Sequence, residues 1–389
     1  MATFRISSSN VAGSLPSVVN DAATPFQQDS VNADTLSVDP GAFLITNGVF
    51  AGAFLENTGA WTVSVNGTVW GANGINLGLG NTGTSTITVG ADGTVGTWDA
   101  GLNGIVVSSS AIIKNFGTIL GATNNIDSGA GAGIHLGGGT HTVTNTGTIV
   151  GARYAIWDET AGSNDTVTNS GTITGAVALG GGINKLTNSG SVSGIFQNTS
   201  YWGGDGADTV VNSGTMTGGV VMYGGINKLT NSGSIGEDIF GFSYIDGSNA
   251  DAVVNSGTLA GGLYLRNGGA NKVTNSGSIG ADDAGLSYDG GNKTEMVADN
   301  DGADNYKLGA GNDTYHATGA AADGNATTKI DIVDGGTGQD TYSTVAAIAK
   351  VSINLDTVSH TEDVIVGLGT LAGKTARGLW LVGATSWRQ

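Results

Sequence analysis

The 389-residue chain has no cysteine, only 3 prolines and few basic residues. The absence of cysteine excludes disulfide bridges as a source of stability. No stretch of 18 consecutive apolar residues occurs, so the sequence predicts no insertion into a membrane. With 32 acidic against 14 basic side chains, the formal net charge is −18, which argues against nucleic acid and anionic membrane surfaces as partners. The same charge favours cations.

Catalytic motifs are also missing from the sequence. It contains no His-Glu-x-x-His zinc motif, no Gly-x-Ser-x-Gly nucleophile elbow and no Walker-type phosphate loop. The four histidines are scattered, and Lys185, Lys228 and Lys272 recur with the sequence repeat, as surface residues would. We therefore predict a protein that is not an enzyme. A polysaccharide-modifying enzyme, a lyase or an epimerase, is the alternative.

What the chain has in abundance is glycine, with 69 residues placed at regular intervals. Eight copies of an Asn-x-Gly-(Ser/Thr) tetrad begin at Asn115, Asn145, Asn169, Asn188, Asn212, Asn231, Asn255 and Asn275. From the third copy onward the tetrads are 19, 24, 19, 24 and 20 residues apart. Repeats of this length are typical of solenoids.

Aliphatic residues flank the tetrads, two positions before the Asn and four positions after it, as Val253 and Leu259 do around Asn255. Both flanks predict short strands, joined by a corner at which Asn and Gly tolerate positive φ. No helical run is long enough for a crossover helix, so parallel strands must be joined by winding round. This predicts an all-β fold, a right-handed parallel β-helix or solenoid. The aligned asparagines would form an inward amide ladder, unless they serve only the corner geometry.

A second motif is a nonapeptide, Gly-Gly-x-Gly-x-Asp-x-(apolar)-x, which residues 203–211 and 335–343 both fit. Partial copies lie between them, at 301–306 and 309–315. Through these residues the chain resembles the RTX, or hemolysin-type calcium-binding, family, most clearly over residues 295–345. The resemblance implies that the β-helix continues into a calcium-binding β-roll, in which glycine carbonyls and the aspartates of successive coils hold Ca²⁺.

Counting by nine from Asp304 reaches an acidic residue at five of the six positions from 295 to 340. With two nonapeptides in each coil, Glu295, Asp313 and Asp331 are predicted on one side of the roll. Asp304 and Asp340 are predicted on the other. Carboxylates stacked about 4.8 Å apart would repel by roughly 3.5 kcal/mol at an effective dielectric of 20, so a cation is expected. The candidate metal ligands are Glu295, Gly302, Asp304, Gly311, Asp313, Asp331, Gly338 and Asp340, with Gly206 and Asp208 of the first nonapeptide.

Upstream of this block, the residue four positions before each tetrad Asn alternates strictly between Asp and Asn from 165 to 271. The alternation would place carboxylates two coils apart, about 9.6 Å, where salt largely screens their repulsion. We therefore predict that the upstream β-helix avoids this repulsion without a cation. Asp208 has no carboxylate in either adjacent coil, which makes it a weaker ligand than the residues of the later block.

Aromatic residues recur on the longer coils, where Tyr201, Tyr244 and Tyr288 are spaced by 43 and 44 residues. A ladder of this kind is typical of packing in the core or at a corner. A sugar-stacking surface is the alternative.

The predicted organisation is an N-terminal cap over residues 1–45, a parallel β-helix over 46–294, an RTX-like β-roll over 295–345 and a C-terminal cap or secretion region over 346–389. The first 18 residues hold no continuous apolar stretch, so we expect no cleavable secretory signal. The RTX resemblance implies type I secretion instead.

Together these features predict a secreted bacterial protein, extracellular or on the cell surface, with a structural or adhesive role. Extracellular Ca²⁺ would drive its folding. The Asn-x-Gly-(Ser/Thr) coils resemble passenger regions of autotransporters and bacterial adhesins, which implies a surface or extracellular polysaccharide as a partner. Copies of the chain itself, assembled into a filament or surface layer, are the other partner considered.

Overall fold

The computed structural model describes residues 2–8, 14–19, 23–30, 33–46, 50–57, 59–78, 83–98, 102–123, 131–247, 249–265, 269–280, 286–299, 305–317, 332–338, 340–343 and 363–365. Within these residues the regular structure is β-strand, apart from a 3₁₀ turn at Phe196–Asn198. Among them, no helix has the length and apolar character needed to cross a membrane. The all-β prediction is confirmed.

The chain forms two compact units. The first consists of Met1–Gly206 with Gly214–Thr217, and the second of Ala207–Ser213 with Gly218–Gln389. The predicted boundaries at residues 45, 294 and 345 stay predictions.

In both units, the first strand of each regular coil ends at a tetrad Asn. In the first unit, these strands and those aligned with them are Thr3–Ser7, Leu15–Pro16, Thr35–Val38, Thr62–Val65, Ser85–Val89, Ala111–Asn115, His141–Asn145, Thr166–Asn169 and Lys185–Asn188. In the second unit they are Thr209–Asn212, Lys228–Asn231, Ala252–Asn255, Lys272–Asn275, Met296–Asp299, Thr314–Ala317, Thr341–Ser343 and Asp363–Ile365.

The remaining strands complete each coil. In the first unit they are Val18–Val19, Phe26–Ser30, Phe43–Ile45, Ala53–Asn57, Thr68–Gly71, Ile75–Leu77, Thr94–Thr97, Ile105–Val107, Thr118–Leu120, Ile134–Leu136, Thr148–Asp158, Thr172–Ala178, Ser191–Ser193, Thr199–Trp202 and Thr215–Met216. In the second they are Gly219–Met222, Ser234–Ile235, Phe242–Asp246, Thr258–Leu259, Gly262–Tyr264, Ser278–Ile279, Tyr288–Asp289, Asn305–Lys307 and Ile332–Asp334.

Successive coils pair strand on strand, in parallel and in register. Val253 aligns with Val273 before the tetrad, and Leu259 aligns with Ile279 after it. All four side chains are buried, because alternate residues of each strand face the inside of the coil. The strands predicted on both sides of the tetrad, and the parallel β-helix they build, are therefore confirmed. A third strand, such as Gly262–Tyr264, closes each regular coil and was not predicted.

The inward amide ladder is also confirmed. In the first unit, Asn145 Nδ2 donates to Asn169 Oδ1 at 2.8 Å. In the second unit, Asn231 Nδ2 donates to Asn255 Oδ1 at the same distance. The second amide proton is also used, since Asn231 Nδ2 lies 3.2 Å from the carbonyl of Thr258 in the next coil. The ladder satisfies side chains that are almost completely buried, at a position where an unpaired amide would be costly.

The tetrad glycines have a different role from the one predicted. None of the described tetrad glycines has positive φ. Instead, they lie directly against the next coil: a Cβ added at Gly171 would be 2.2 Å from the carbonyl oxygen of Gly147, and one at Gly257 would be 2.1 Å from that of Gly233. Glycine is therefore required because no side-chain carbon fits between stacked corners.

The coils become shorter from residue 296 onward, where the described residues form two strands in each coil. Met296 aligns with Thr314, and Thr314 with Thr341, on one face. Tyr306 aligns with Val333 on the other. Two-stranded coils of this kind agree with the predicted continuation into a β-roll.

Candidate metal centre

One column of buried polar residues runs along each unit, at the corner where the chain enters the strand that ends at a tetrad Asn. We call it the corner column. In the first unit it contains His141, Asp165 and Asn184, and in the second Asp208, Asn227, Asp251, Asn271, Glu295, Asp313 and Asp340. Each of these residues is at most 3% exposed. The acidic residues of the glycine-rich block thus continue the Asp/Asn series of the β-helix.

One side-chain oxygen of the column residue accepts a hydrogen bond from the backbone N–H at the equivalent position of the preceding coil. Asp251 N donates to Asn271 Oδ1 at 2.9 Å. Glu295 N donates to Asp313 Oδ1 at 2.7 Å, and Asp313 N to Asp340 Oδ1 at 3.0 Å. An asparagine performs this role as well as an aspartate does. The carboxylates therefore carry a charge that the corner geometry does not require.

The predicted partner of Asp313 is corrected. Asp340, and not Asp331, follows Asp313 in the column, so the placement of Asp340 on the opposite side from Asp313 is wrong. The coil between Asp313 and Asp340 is 27 residues long, one nonapeptide more than the 18 residues between Glu295 and Asp313. Three other predicted ligands, Gly302, Asp304 and Asp331, lie outside the described residues.

Two carboxyl groups of this stretch each keep an oxygen that nothing satisfies. Glu295 Oε2 and Asp313 Oδ2 are buried, and no hydrogen-bond donor in the described part of the chain reaches them. Burial, with the charge of Asp313, raises the pKa of Glu295 to about 8, against hydrogen bonds from Gly291 and Asn271 that lower it. Burial, with the charge of Asp340, raises the pKa of Asp313 to about 7. Each group therefore calls for positive charge.

The predicted glycine ligands lie in tightly stacked turns beside the column. Gly311 and Gly338 both have positive φ, and a Cβ on Gly338 would be 1.5 Å from the carbonyl oxygen of Gly311. In the first unit, Gly206 stacks in the same way on Gly182. Asp208 belongs to the second unit, where its N–H donates to Asn227 Oδ1 at 2.8 Å.

These residues fit calcium by three criteria. All the candidate donors are oxygens, which is the donor set that Ca²⁺ prefers. Two buried carboxylate oxygens have no hydrogen-bond donor, and the carboxyl groups follow one another in adjacent coils. The structure brings Glu295, Asp313 and Asp340 together, with the turns of Gly311 and Gly338 beside them.

A second charged cluster, in the first unit, was missed by the sequence reasoning. His141, Asp158 and Asp165 have side chains at most 1% exposed, and one potential metal-ligating atom from each lies within 4.8 Å of the others. His141 Nδ1 is 2.9 Å from Asp165 Oδ1 and 4.0 Å from Asp158 Oδ2. Ser163 Oγ donates to Asp158 Oδ2 at 2.5 Å, and His141 Nε2 donates to the carbonyl of Ser109 at 3.2 Å.

The electrostatics of this cluster separate its two carboxyl groups. Burial and the neighbouring Asp165 raise the pKa of Asp158 to about 6. Burial also raises the pKa of Asp165, but hydrogen bonds from His141 and Asp158 and the charge of His141 outweigh it, so the net shift is downward. The cluster satisfies itself through its own hydrogen bonds.

A corresponding carboxyl pair, Asp246 and Asp251, lies in the second unit. Burial, and then the hydrogen bond and charge of Asp251, raise the pKa of Asp246 to about 9. Burial also raises the pKa of Asp251. The prediction that alternation keeps upstream carboxylates apart is therefore wrong at this corner and at Asp165, because an inward Asp outside the column comes alongside. The available signal was an Asp in an inward position that is otherwise apolar: Asp246 aligns with Met222.

The aromatic ladder lies in the core, as the packing interpretation predicted. Tyr201, Tyr244 and Tyr288 are 0% exposed, which excludes them as a sugar-stacking surface. Tyr306 continues the ladder beside Tyr288, with ring centroids 6.2 Å apart.

No family model, curated protein or solved structure matches the chain. The RTX resemblance stays a prediction, carried by the residues quoted for it.

Proposed function

We propose that the protein is a secreted, calcium-binding β-solenoid with a non-enzymatic structural or adhesive role at a bacterial surface. The observation that carries the proposal is the stack of Glu295, Asp313 and Asp340, with buried carboxylate oxygens at Glu295 and Asp313 that no described donor satisfies. Burying such charges without compensation would cost several kcal/mol. Bound Ca²⁺ supplies the missing positive charge.

The chain's own residues would act as follows. One oxygen of Asp313 stays on the backbone N–H of Glu295 and fixes the corner, while the second oxygen is free to bind the ion. The glycine turns bring backbone close to the column without a side chain in the way. Without calcium, the carboxyl groups must take up protons or leave the interior, which keeps this part of the chain loosely folded and ready for export. At extracellular millimolar calcium the coils close.

The direct test is far-UV circular dichroism of the full chain, first in chelator and then with calcium added in steps. The proposal predicts a β spectrum that strengthens as calcium is added, and a midpoint that D313N shifts to higher calcium. An unchanged spectrum between chelator and calcium would contradict calcium-driven folding.

An adhesive role toward polysaccharide is supported by a group of partly exposed aromatic side chains in the first unit. Trp157 stacks on His135 with ring centroids 4.6 Å apart, and Tyr154 lies 5.9 Å from Trp157. Arg153 lies over the ring of Tyr154, 4.9 Å from its centroid. Planar, half-buried faces of this kind suit sugar rings. A glycan array probed with wild-type and Trp157→Ala protein would test this role.

The alternative, a polysaccharide lyase or epimerase on the same scaffold, is tested by a depolymerisation assay on acidic glycans. The cluster of His141, Asp158 and Asp165 has the residue types of an acid–base site, but its side chains are buried away from a polymeric substrate. Self-assembly into a filament or surface layer forms part of the proposal. Electron microscopy with and without calcium distinguishes a polymer from a monomer.

A further inference from the structure

Two corners of the molecule, one in each unit, share the same arrangement of residues. In the first unit, Asp158 aligns with Leu136, and Asp165 Oδ1 accepts the backbone N–H of His141. In the second unit, Asp246 aligns with Met222, and Asp251 Oδ1 accepts the backbone N–H of Asn227. Each corner thus has one inward Asp in an apolar position and one Asp in the corner column. The preceding column residue is His141 in one unit and Asn227 in the other.

The two corners differ in how the paired carboxyl groups are satisfied. In the first, His141 Nδ1 lies 2.9 Å from Asp165 and Ser163 Oγ reaches both carboxyl groups, at 2.5 Å and 3.4 Å. In the second, Gly247 N–H and Asn227 N–H take one oxygen of each carboxyl group. The remaining oxygens, Asp246 Oδ2 and Asp251 Oδ2, are buried and have no donor among the described residues.

Two further polar groups at this corner are buried and unsatisfied. The hydroxyl of Tyr244 is 0% exposed and has no hydrogen-bond partner in the described part of the molecule. It lies in the combined field of Asp246, Asp251 and Asp208, whose charges add to burial in raising its pKa. Asn227 is 1% exposed, and its Nδ2 is likewise without an assigned partner. A carboxyl pair cannot hydrogen-bond within itself unless a proton or a cation lies between the oxygens.

We propose that the Asp246–Asp251 corner is a divalent-cation site, with the carboxylates of Asp246 and Asp251 and the hydroxyl of Tyr244 as its oxygen ligands. His141 provides the corresponding positive charge at the equivalent corner of the first unit. An all-oxygen donor set selects a hard cation, and calcium is the probe of choice. The site is separate from the Glu295–Asp313 stack, because Asn271 occupies the intervening coil of the corner column.

The test is isothermal titration of the full chain with Ca²⁺ at pH 7.5. Three variants are compared with the wild type. Asn227→His introduces the residue that the first unit has at this position, and Asp246→Met introduces the residue aligned with it in the preceding coil. Asp313→Asn removes a charge from the other site.

The proposal predicts that N227H and D246M each bind one calcium ion fewer than the wild type, while D313N keeps this ion. If D246M does not fold, judged by circular dichroism, N227H still decides the question, since it retains both carboxyl groups. Binding of the same number of ions by wild type and N227H, or by wild type and folded D246M, would overturn the proposal and leave a shared proton as the neutralising charge. Because D313N perturbs only the glycine-rich block, failure of one site is distinguishable from failure of the other.

Discussion

Asp313→Asn should stabilise the calcium-free protein and weaken its response to calcium. Asparagine retains the oxygen that accepts the N–H of Glu295, as Asn271 shows for Asp251 in the same column. It removes a buried charge. Burial raises the pKa of Asp313 from 3.8 to about 7, which corresponds to a cost on the order of 4 kcal/mol for the ionised group above pH 7.

The sign of the pH dependence follows from that shift. A carboxyl group whose pKa is higher in the folded state binds its proton more tightly there, so folding stability falls as pH rises from about 4 to about 7 and then levels off. The advantage of D313N in calcium-free buffer should therefore be close to zero at pH 4. It should grow to a few kcal/mol at pH 8. Calcium should reverse the order, because only the wild type gains from it.

The assay is native-state hydrogen exchange read by mass spectrometry on the strand Thr314–Ala317. A local measurement is needed because solenoid coils open separately, and a single unfolding midpoint would average over them. Asp205→Asn is the matched control, since it removes the same charge from an exposed position in a glycine-rich turn. Equal destabilisation by D313N at pH 4 and pH 8 would refute the reasoning.

Three further predictions concern the fold and the aromatic group. Asn231→Ala should cost roughly 2 to 4 kcal/mol, measured by hydrogen exchange of neighbouring strands, because it leaves buried amides of the ladder unpaired; an unchanged exchange rate would contradict the ladder's role. Gly257→Ala should destabilise by about 3 kcal/mol or more in thermal unfolding, whereas Gly138→Ala, with no atom nearer than 3.9 Å, should be almost neutral. Equal effects of the two would argue against close stacking. Trp157→Ala should weaken glycan binding roughly threefold to tenfold, and unaltered array signals would remove the aromatic group from consideration.

The fold could be predicted because it repeats. The spacing of the tetrads fixes the coil length, and the aliphatic residues on both sides of each Asn fix which residues face inward, so strands, parallel pairing and the amide ladder all follow. The role of the tetrad glycine could not be read in the same way. A glycine at a corner satisfies either positive φ or close approach of the backbone, and only the stacking of Gly257 on Gly233 distinguishes the two.

The candidate site was predicted in part. Glu295 and Asp313 stand one coil apart as the nine-residue register predicted, because that coil has 18 residues. The register failed for Asp340, since counting by nine does not reveal that one coil contains three nonapeptides. Sequence spacing also gave no sign of the carboxyl pair at Asp246 and Asp251. Its members come from a strand end and from the corner column, and only the folded turn brings them together.

The most direct test of the account is a crystal structure of the protein grown in calcium, with anomalous scattering used to locate the ion. The account predicts anomalous density beside the carboxyl groups of Glu295 and Asp313, in contact with the oxygens that have no protein donor. Density there from water alone, with both carboxyl groups buried and the coils closed, would contradict it.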